Sequence, residues 1–298
     1  MRVFMWMVGC LLSFCLMATS VRELSAAIEV PQMLLIRSLI GIVVMLVIVF
    51  FRQASNDIHL RFFPLHLLRN FFHFMGQYGW FVGLSMVPLA QVFALEFTVP
   101  IWTLCLAFLF LNEKVTWHKM SAIIFALCGV FLIAPISLSI FDLSDLKQAS
   151  FIVLLAAIFY AISHTTTKVL SQRQTPLAIL FWMCVMQGGF SLFAVQGAWV
   201  EPNAIQWIFL VAIALSALSA HFCMIKALQL APVSTVMSLD LLRLPVIMLI
   251  GYWLYNEQLS LQVLLGAVII VVANLWLCWP TLFIRFIYKI KKSVKIFS

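Results

Sequence analysis

The feature that most limits the fold is a series of apolar runs, each close to the roughly 20 residues that a helix needs to cross a bilayer. Hydrophobic residues fill 65% of the 298 positions and charged residues only 9%, whereas an ordinary soluble domain carries about 25% charge. A soluble fold cannot bury that much apolar surface, so the sequence predicts a polytopic integral membrane protein. The ten runs are approximately 3 to 21, 31 to 51, 65 to 86, 90 to 111, 117 to 138, 150 to 168, 176 to 197, 204 to 229, 233 to 254 and 261 to 280.

These runs are predicted to be helices rather than strands. A backbone in hydrocarbon must satisfy its own hydrogen bonds, and the sequence lacks the alternating pattern of a barrel strand. The links between runs are too short for a soluble domain, so the predicted fold class is all-α integral membrane with ten transmembrane helices. The first 20 residues also resemble a signal peptide, with Arg2 before an apolar core, but the repeat described below requires them as a helix.

Lys and Arg residues are distributed unequally between the two predicted membrane faces. With a cytoplasmic N-terminus, fourteen of the 18 lie on the cytoplasmic side, including Arg69, and two, Arg22 and Lys147, lie on the other. Such a bias predicts a protein of the cytoplasmic (inner) membrane with both termini in the cytoplasm. The dense cluster from Lys289 to Lys295 suits an anionic lipid surface. The remaining cations are scattered at the ends of apolar runs, so no nucleic-acid partner is predicted.

The chain matches itself at a shift of 144 residues. This shift aligns Pro88 with Pro232, Glu96 with Asp240, and Asn112-Glu113 with Asn256-Glu257. At the front of each half, a shift of 146 aligns Thr19 to Arg22 with Thr165 to Lys168. The repeated unit has five helices, an odd number, so the second copy is predicted to enter the membrane from the opposite side. The predicted divisions are a first repeat at 1 to 144, an inverted second repeat at 145 to 280, and a basic cytoplasmic tail at 281 to 298.

Two long stretches carry a resemblance to a known family. Residues 83 to 116 read GLSMVPLAQVFALEFTVPIWTLCLAFLFLNEKVT, and residues 227 to 260 read ALQLAPVSTVMSLDLLRLPVIMLIGYWLYNEQLS. With this doubled arrangement the chain resembles the ten-helix EamA-type branch of the drug/metabolite transporter superfamily. The resemblance implies a central substrate cavity lined by the first, third, fourth, sixth, eighth and ninth helices, with the fifth and tenth peripheral. The stretch from Leu68 to Gly76, with residues 89 to 112, is most similar to members that carry S-adenosylmethionine.

The aligned carboxylates Glu96 and Asp240 are the strongest candidates for substrate binding. Both are predicted near the middle of a membrane helix, where an ionised carboxylate is costly, and an inverted repeat would bring them together at one central cavity. There they can bind a cationic part of the substrate or exchange a proton during transport. The alternative is a structural role, above all for Asp240, because Arg243 lies three residues further on and can neutralise it.

Arg37 is a further candidate, since it lies six residues into the second predicted helix and requires a partner there. Glu96 is the carboxylate available in the same half if the second and fourth helices touch. His164 is predicted to face the cavity from the sixth helix, whereas His73 and His221 more often connect helices and His66 is expected near a solvated loop.

The third predicted helix carries a stripe of small residues at Gly76, Gly79 and Gly83. Its default interpretation is close helix packing, and the alternative is room for a ligand beside Gln77, Tyr78 and Trp80. Tyr160 adds aromatic surface on the sixth helix, which together with both signs of charge would suit a zwitterionic or cationic substrate. The two Asn-Glu pairs are predicted to be structural and to close helix ends.

The sequence therefore predicts a secondary transporter that moves a small polar metabolite by alternating access, and not an enzyme. A nucleotide-binding Gly-rich loop and metal-ligand spacings are both missing from the sequence, so no cofactor or metal is predicted. The expected partners are a small-molecule substrate, the lipid bilayer and a coupling proton. The alternatives are an exporter of drugs or vitamins with the same fold, a membrane-embedded enzyme, and a channel or scaffold.

Overall fold

The fold is known from a computed structural model. It describes residues 2–96, 98–112, 116–133, 145–197 and 199–257, with scattered positions between 261 and 276. Throughout this described part the secondary structure is helical, without strands. The helices are α1 (Arg2–Leu24), α2 (Val30–Phe51), α3 (Phe63–Met86), α4 (Leu89–Glu96), α5 (Val99–Leu111), α6 (Trp117–Ile133), α7 (Asp145–Ser171), α8 (Pro176–Ala194), α9 (Ala204–Leu230), α10 (Val233–Asp240) and α11 (Arg243–Tyr255).

Five of these helices are long and apolar enough to cross a membrane, namely α1, α2, α7 over Gln148–Ser171, α8 and α9. Helix α3 has 24 residues, but its buried face carries several polar side chains. The tenth predicted segment, 261 to 280, lies largely outside the described residues, and its described positions are helical. The described part of the chain is thus all-helical, with the long apolar helices of an integral membrane protein.

The fourth and ninth predicted helices are each broken into two, which corrects the prediction of continuous helices at 90 to 111 and 233 to 254. The first break separates α4 from α5 and the second separates α10 from α11. Pro100 and Pro245 lie in the first turns of α5 and α11, and proline has no N–H to donate to the carbonyl four residues earlier. Within the second break, the Leu242 N–H donates to the Leu239 carbonyl at 3.2 Å, three residues back, as in a turn and not as in an α-helix. Glu96 and Asp240 consequently end short helices instead of lying inside long ones.

Two cations complete the C-terminal ends of α3 and α9. Arg22 Nη1 donates to two carbonyls at the end of α3, each at 2.8 Å. Lys168 Nζ donates to the carbonyls of Leu228 and Ala231 at the end of α9, at 2.6 and 2.7 Å. The last carbonyls of a helix have no partner within it, so each cation satisfies acceptors that would otherwise be bare.

The Asn residues of the two Asn-Glu pairs lie directly after helix ends, and they end these helices through their backbone, whereas the prediction was that the side chains close them. Asn112 and Asn256 adopt left-handed backbone conformations, with φ of 52° and 53°, directly after α5 and α11. Glu257 accepts a hydrogen bond from the Leu89 N–H at 3.0 Å, at the first residue of α4. Glu113 lies outside the described residues. Glu257 thus connects the end of one broken helix to the start of the other.

The glycine stripe of α3 packs against α7, which favours the packing interpretation over a ligand space. A Cβ atom added at Gly76 would lie 3.1 Å from Tyr160 Cδ1, and one added at Gly79 would lie 3.0 Å from Ile152 Cγ2. The other extensive helix pairs are α1 with α9 and α2 with α8, and the broken helices cross, with α4 against α11 and α10 against α5. Close packing of α3 on α7 places Tyr160 at the centre of the bundle.

Candidate substrate-binding site

A small cavity lies where the ends of the broken helices meet. Its volume is about 10 Å³, which is about the room that one water molecule needs. The lining comes from α1, α3, α4, α7, α9, α10 and α11. These correspond to the first, third, fourth, sixth, eighth and ninth predicted helices, which the family resemblance implies for the cavity. The lining residues are Phe14, His73, Trp80, Glu96, Tyr160, His164, His221, Asp240 and Arg243.

Three charged side chains form the centre of this cavity and are called here the acid cluster: Glu96, Asp240 and Arg243. Arg243 Nη2 lies 2.8 Å from Glu96 Oε1 and 3.0 Å from Asp240 Oδ2. The second Glu96 oxygen accepts a hydrogen bond from Trp80 Nε1 at 2.8 Å. All three residues are buried, with at most 9% exposure. Two carboxylates and one guanidinium leave the cluster one negative charge in excess when both acids are ionised.

The breaks in the helices bring these charges together. Glu96 is the last residue of α4, Asp240 is the last residue of α10, and Arg243 is the first residue of α11. Helix C-termini carry a partial negative charge that favours cations. The ends of α4 and α10 thus add to the negative field of the two carboxylates, whereas the positive N-terminal ends of α5 and α11, which begin at the same breaks, oppose it.

Two aromatic rings contact the Arg243 guanidinium. Its carbon lies 4.7 Å from the Phe14 ring centroid and 5.0 Å from the Phe93 centroid. Both distances are within the range of a cation–π interaction. The same rings are suited to receive an organic cation that replaces the guanidinium in this position.

Histidine and tyrosine rings form the opposite wall. The His73 ring lies 4.7 Å from the His221 centroid and 5.5 Å from that of Tyr160, and Tyr160 stacks on His164 at 5.9 Å. Both His73 ring nitrogens are buried and make no hydrogen bond within the described part of the chain. Asp240 Oδ1 is likewise buried without a partner among the residues described. These atoms are available to hydrogen-bond a ligand.

Arg37 does not pair with Glu96, which corrects the pairing considered from the sequence. Its Nη1 donates to Gln187 Oε1 on α8 at 3.2 Å, because α2 packs on α8 rather than on α4. Arg69, counted from the sequence among the cytoplasmic cations, is buried at 2% exposure inside α3. His66, expected near solvent, is fully buried and hydrogen-bonded to Gln174.

Six of the nine predicted site residues line the cavity and three do not. Glu96, Asp240, Arg243, Trp80, Tyr160 and His164 line it. Gln77 is buried on α3 outside this lining, and Tyr78 is partly buried against Phe74. Arg37 lies in a separate crevice on α2.

Three lining residues were not predicted to lie there: Phe14, His73 and His221. The sequence held a signal for Phe14, since the 146-residue shift that aligns Thr19 with Thr165 also aligns Phe14 with Tyr160. No matching signal exists for the histidines, which lie 148 residues apart and so one helical turn out of the 144-residue register. Their meeting depends on how α3 and α9 pack.

A buried polar cavity between broken helices is typical of membrane proteins that move solutes. The sequence profile of the EamA-like transporter family matches residues 1–134 and again 147–279. The chain therefore belongs to the EamA-like transporter family, within the drug/metabolite transporter superfamily, and is a transporter rather than an enzyme.

Relatives agree with this assignment, and a solved structure shares the fold. An S-adenosylmethionine uptake transporter of Rickettsia bellii (strain RML369-C) is 26% identical over 72% of this chain and 72% of its own. A riboflavin transporter of Vibrio cholerae serotype O1 is 26% identical over 93% of both chains. One crystal structure superposes with a TM-score of 0.76 over 96% of this chain and 98% of the other. It is 13% identical, a level that establishes the fold alone.

Proposed function

We propose that this protein is a secondary transporter that carries a small zwitterionic or cationic metabolite, an amino acid or a molecule like S-adenosylmethionine, across the cytoplasmic membrane. The observation that carries the proposal is the acid cluster, with its excess negative charge and a buried Asp240 oxygen that makes no bond among the described residues. A cationic group of the substrate would take the place of Arg243 beside one carboxylate. The likeness to an S-adenosylmethionine uptake transporter favours the same substrate class.

The proposed mechanism is alternating access by two inverted five-helix repeats, 1–144 and 145–280. The family profile matches each half separately, which supports the division. Helix pairs also occur in exchanged form: α1 packs on α9 as α7 packs on α3, and α4 packs on α11 as α10 packs on α5. Arg22 and Lys168 complete α3 and α9 in the same way. Two alike halves around one site favour rocking motions that open either face.

The cavity volume supports a cycle that includes a closed state. About 10 Å³ accommodates one water molecule and no metabolite. A substrate can reach the acid cluster only when helices around it separate. In the proposed orientation, with both termini cytoplasmic, α3 and α9 end on opposite faces of the membrane, so each half contributes one side of the closure.

A coupled proton is part of the proposal. A carboxylate from which Arg243 has moved away, and beside which no substrate cation lies, is left buried and charged without a partner, which is costly. Uptake of a proton by Glu96 or Asp240 removes that cost. Release of the proton on the other face would then couple substrate movement to the proton gradient.

Binding and flux measurements test the proposal. The purified chain is reconstituted into proteoliposomes. Flux of labelled S-adenosylmethionine, amino acids or riboflavin across the vesicle membrane is then measured with and without a pH gradient. Saturable flux of a cationic or zwitterionic metabolite that is lost in Glu96→Gln is expected. No flux above empty vesicles across the panel would contradict the proposal.

Riboflavin provides the second candidate substrate class. The cavity wall contains the rings of His73, His221, Tyr160 and His164, and flat ligands stack on such rings. The full-length likeness to a riboflavin transporter points the same way. Riboflavin has no cationic group, so its binding would survive Glu96→Gln, and this outcome would favour the vitamin over the cationic metabolite.

A further inference from the structure

Two other buried arginines differ from Arg243 in their partners. Arg37 and Arg69 are 4% and 2% exposed, and neither forms an ion pair with a carboxylate within the described part of the chain. Arg37 donates to Gln187 Oε1 at 3.2 Å. Arg69 donates to Thr167 Oγ1 at 3.1 Å and to Asn70 Oδ1 at 2.6 Å. A buried charge with neutral partners alone is costly, which indicates that a counterion joins them at some stage.

The hydrogen bonds of both arginines lead to neighbouring residues of α8, Met186 and Gln187. Asn70, which accepts from Arg69, donates through Nδ2 to Met186 Sδ at 3.3 Å. Gln187, the residue after Met186, accepts from Arg37. Met186 thus contacts the partner of Arg69, and the next residue of α8, Gln187, is the partner of Arg37. We call Arg37 and Arg69 the arginine pair.

Unused hydrogen-bonding capacity surrounds the arginine pair. Gln187 is 1% exposed, and its Nε2 atom makes no hydrogen bond to any described residue. A Gln amide that already accepts from Arg37 would offer this N–H to a second acceptor. Three donor groups, two guanidinium groups and one amide, therefore lie on three helices that pack against one another, α2, α3 and α8, and such donors hold oxyanions.

We propose that the arginine pair is an anion subsite that binds the carboxylate of the transported molecule while its cationic part lies at the acid cluster. This rests on the proposed function. Arg69 and Trp80, which donates to Glu96, are eleven residues apart on α3 and so lie roughly 16 Å apart along its axis. Long side chains shorten that span but do not close it. The substrate is therefore an elongated metabolite, longer than a simple amino acid, with its carboxylate several bonds from its cationic or aromatic part.

His73 marks the path between the two subsites. It lies one helical turn from Arg69 on the buried face of α3 and also lines the central cavity. The crevice beside Arg37 leaves no room for a water molecule, and the cavity at the acid cluster holds about one. The arginine pair thus fills only after the helices that carry it and its partners, α2, α3 and α8, separate, and the acid cluster only after its own lining helices separate. Helix α3 carries residues of both subsites, so its movement serves both.

The test compares two ligands that differ by one carboxylate. S-adenosylmethionine and its decarboxylated form are titrated into the full chain in lipid nanodiscs, for the wild type, Arg37→Gln, Arg69→Gln and the control Arg61→Gln. Arg61 has the same charge but is exposed. The wild type is expected to bind the carboxylated form roughly 10- to 100-fold more tightly, the value of a hydrogen bond to a charged group. Arg37→Gln and Arg69→Gln should remove that preference, and Arg61→Gln should keep it.

Two results would overturn the subsite. One is equal affinity of the wild type for both forms, and the other is a loss of affinity in Arg37→Gln that is the same for both forms. Neutral replacement should be tolerated because the present partners are neutral. If a variant does not fold, the comparison of the two ligands on the wild type decides alone.

Failure of the proposed function gives a different pattern. If neither form binds the wild type, thermal unfolding is measured in acetate and in inorganic phosphate against chloride at equal ionic strength. Stabilisation by acetate that disappears in Arg37→Gln would support the anion subsite while excluding the S-adenosylmethionine-like substrate. Stabilisation by phosphate alone would overturn the carboxylate assignment, and no anion effect that depends on these arginines would overturn the subsite itself.

Discussion

The two helix breaks share their backbone design but differ in their chemistry. Each follows an eight-residue helix that ends in a carboxylate, Glu96 or Asp240, and each precedes a helix with proline in its first turn. The position of Arg243 in the second break is held by Val99 in the first. A single cation therefore serves both carboxylates. The comparison teaches that the aligned halves supply a frame, while one residue of one half decides the charge of the site.

Removal of Arg243 is expected to have the largest effect, because it leaves two buried carboxylates without their shared cation. Breaking a buried ion pair from one side costs about 3–5 kcal/mol. We expect Arg243→Met to lower the free energy of unfolding by that order and to reduce the monodisperse yield in size-exclusion chromatography.

The triple variant Arg243→Met, Glu96→Gln, Asp240→Asn provides the control for that experiment. It removes all three charges together, so folded yield should recover while binding of a cationic substrate stays lost. If Arg243→Met alone folds as well as the wild type, Glu96 and Asp240 do not depend on Arg243 for stability, contrary to what the distances imply.

The two carboxylates themselves should differ by a smaller amount. Glu96 uses one oxygen for Arg243 and the other for Trp80 Nε1, whereas one Asp240 oxygen makes no hydrogen bond to a described residue. Glu96→Gln should therefore cost about 1–3 kcal/mol more in stability than Asp240→Asn. Thermal unfolding in nanodiscs measures the difference.

Transport by the same two variants sharpens the comparison. Both should weaken binding of a cationic substrate and change the pH dependence of flux, because each removes a group that can exchange a proton. Normal folding, unchanged flux and unchanged pH dependence in both variants would remove the carboxylates from the mechanism.

The sequence predicted the meeting of Glu96 and Asp240 but not the partner of Arg37, and the reason is physical. Aligned positions in a duplicated chain lie in related places, so the repeat alone brings the carboxylates to one site. The partner of a lone buried cation depends instead on which helices touch, and α2 lies against α8. The breaks were missed because the runs that contain Pro100 and Pro245 stay apolar enough overall to read as single spans, and hydrophobicity gives no sign of an interrupted hydrogen-bond ladder. His73 and His221 were not predicted to line the cavity for the same reason that the partner of Arg37 was not predicted. In both cases the answer depends on which helices pack together, and the sequence does not show this.

Arg22 and Lys168, which cap helix ends in the two halves, should contribute similarly to stability. Arg22→Met and Lys168→Met each remove two hydrogen bonds to helix-end carbonyls. We expect similar losses of stability, about 1–3 kcal/mol each, with little change in substrate affinity. A loss confined to one of the two variants, seen in parallel thermal unfolding, would show that the halves are not energetically equivalent.

The smallest expected effects are at the left-handed caps. Asn112 and Asn256 hold positive φ angles that asparagine tolerates and a β-branched residue does not. Asn112→Gly and Asn256→Gly should leave stability unchanged or slightly higher, and the valine variants should lower it by about 1–2 kcal/mol. Thermal unfolding measures the stability of the four variants. Changes of opposite sign at the two positions would show that the two helix ends are not equivalent.

The distance along the chain between Glu96 and Arg243 has a consequence for synthesis. Their bond joins residues 147 positions apart, and at ribosomal speeds that stretch takes on the order of 10 s to make. Glu96 thus enters the bilayer well before its cation exists. During that interval the nascent half must keep the carboxylate protonated or sheltered beside the insertion machinery, so correct assembly depends on the order in which the two halves leave the ribosome.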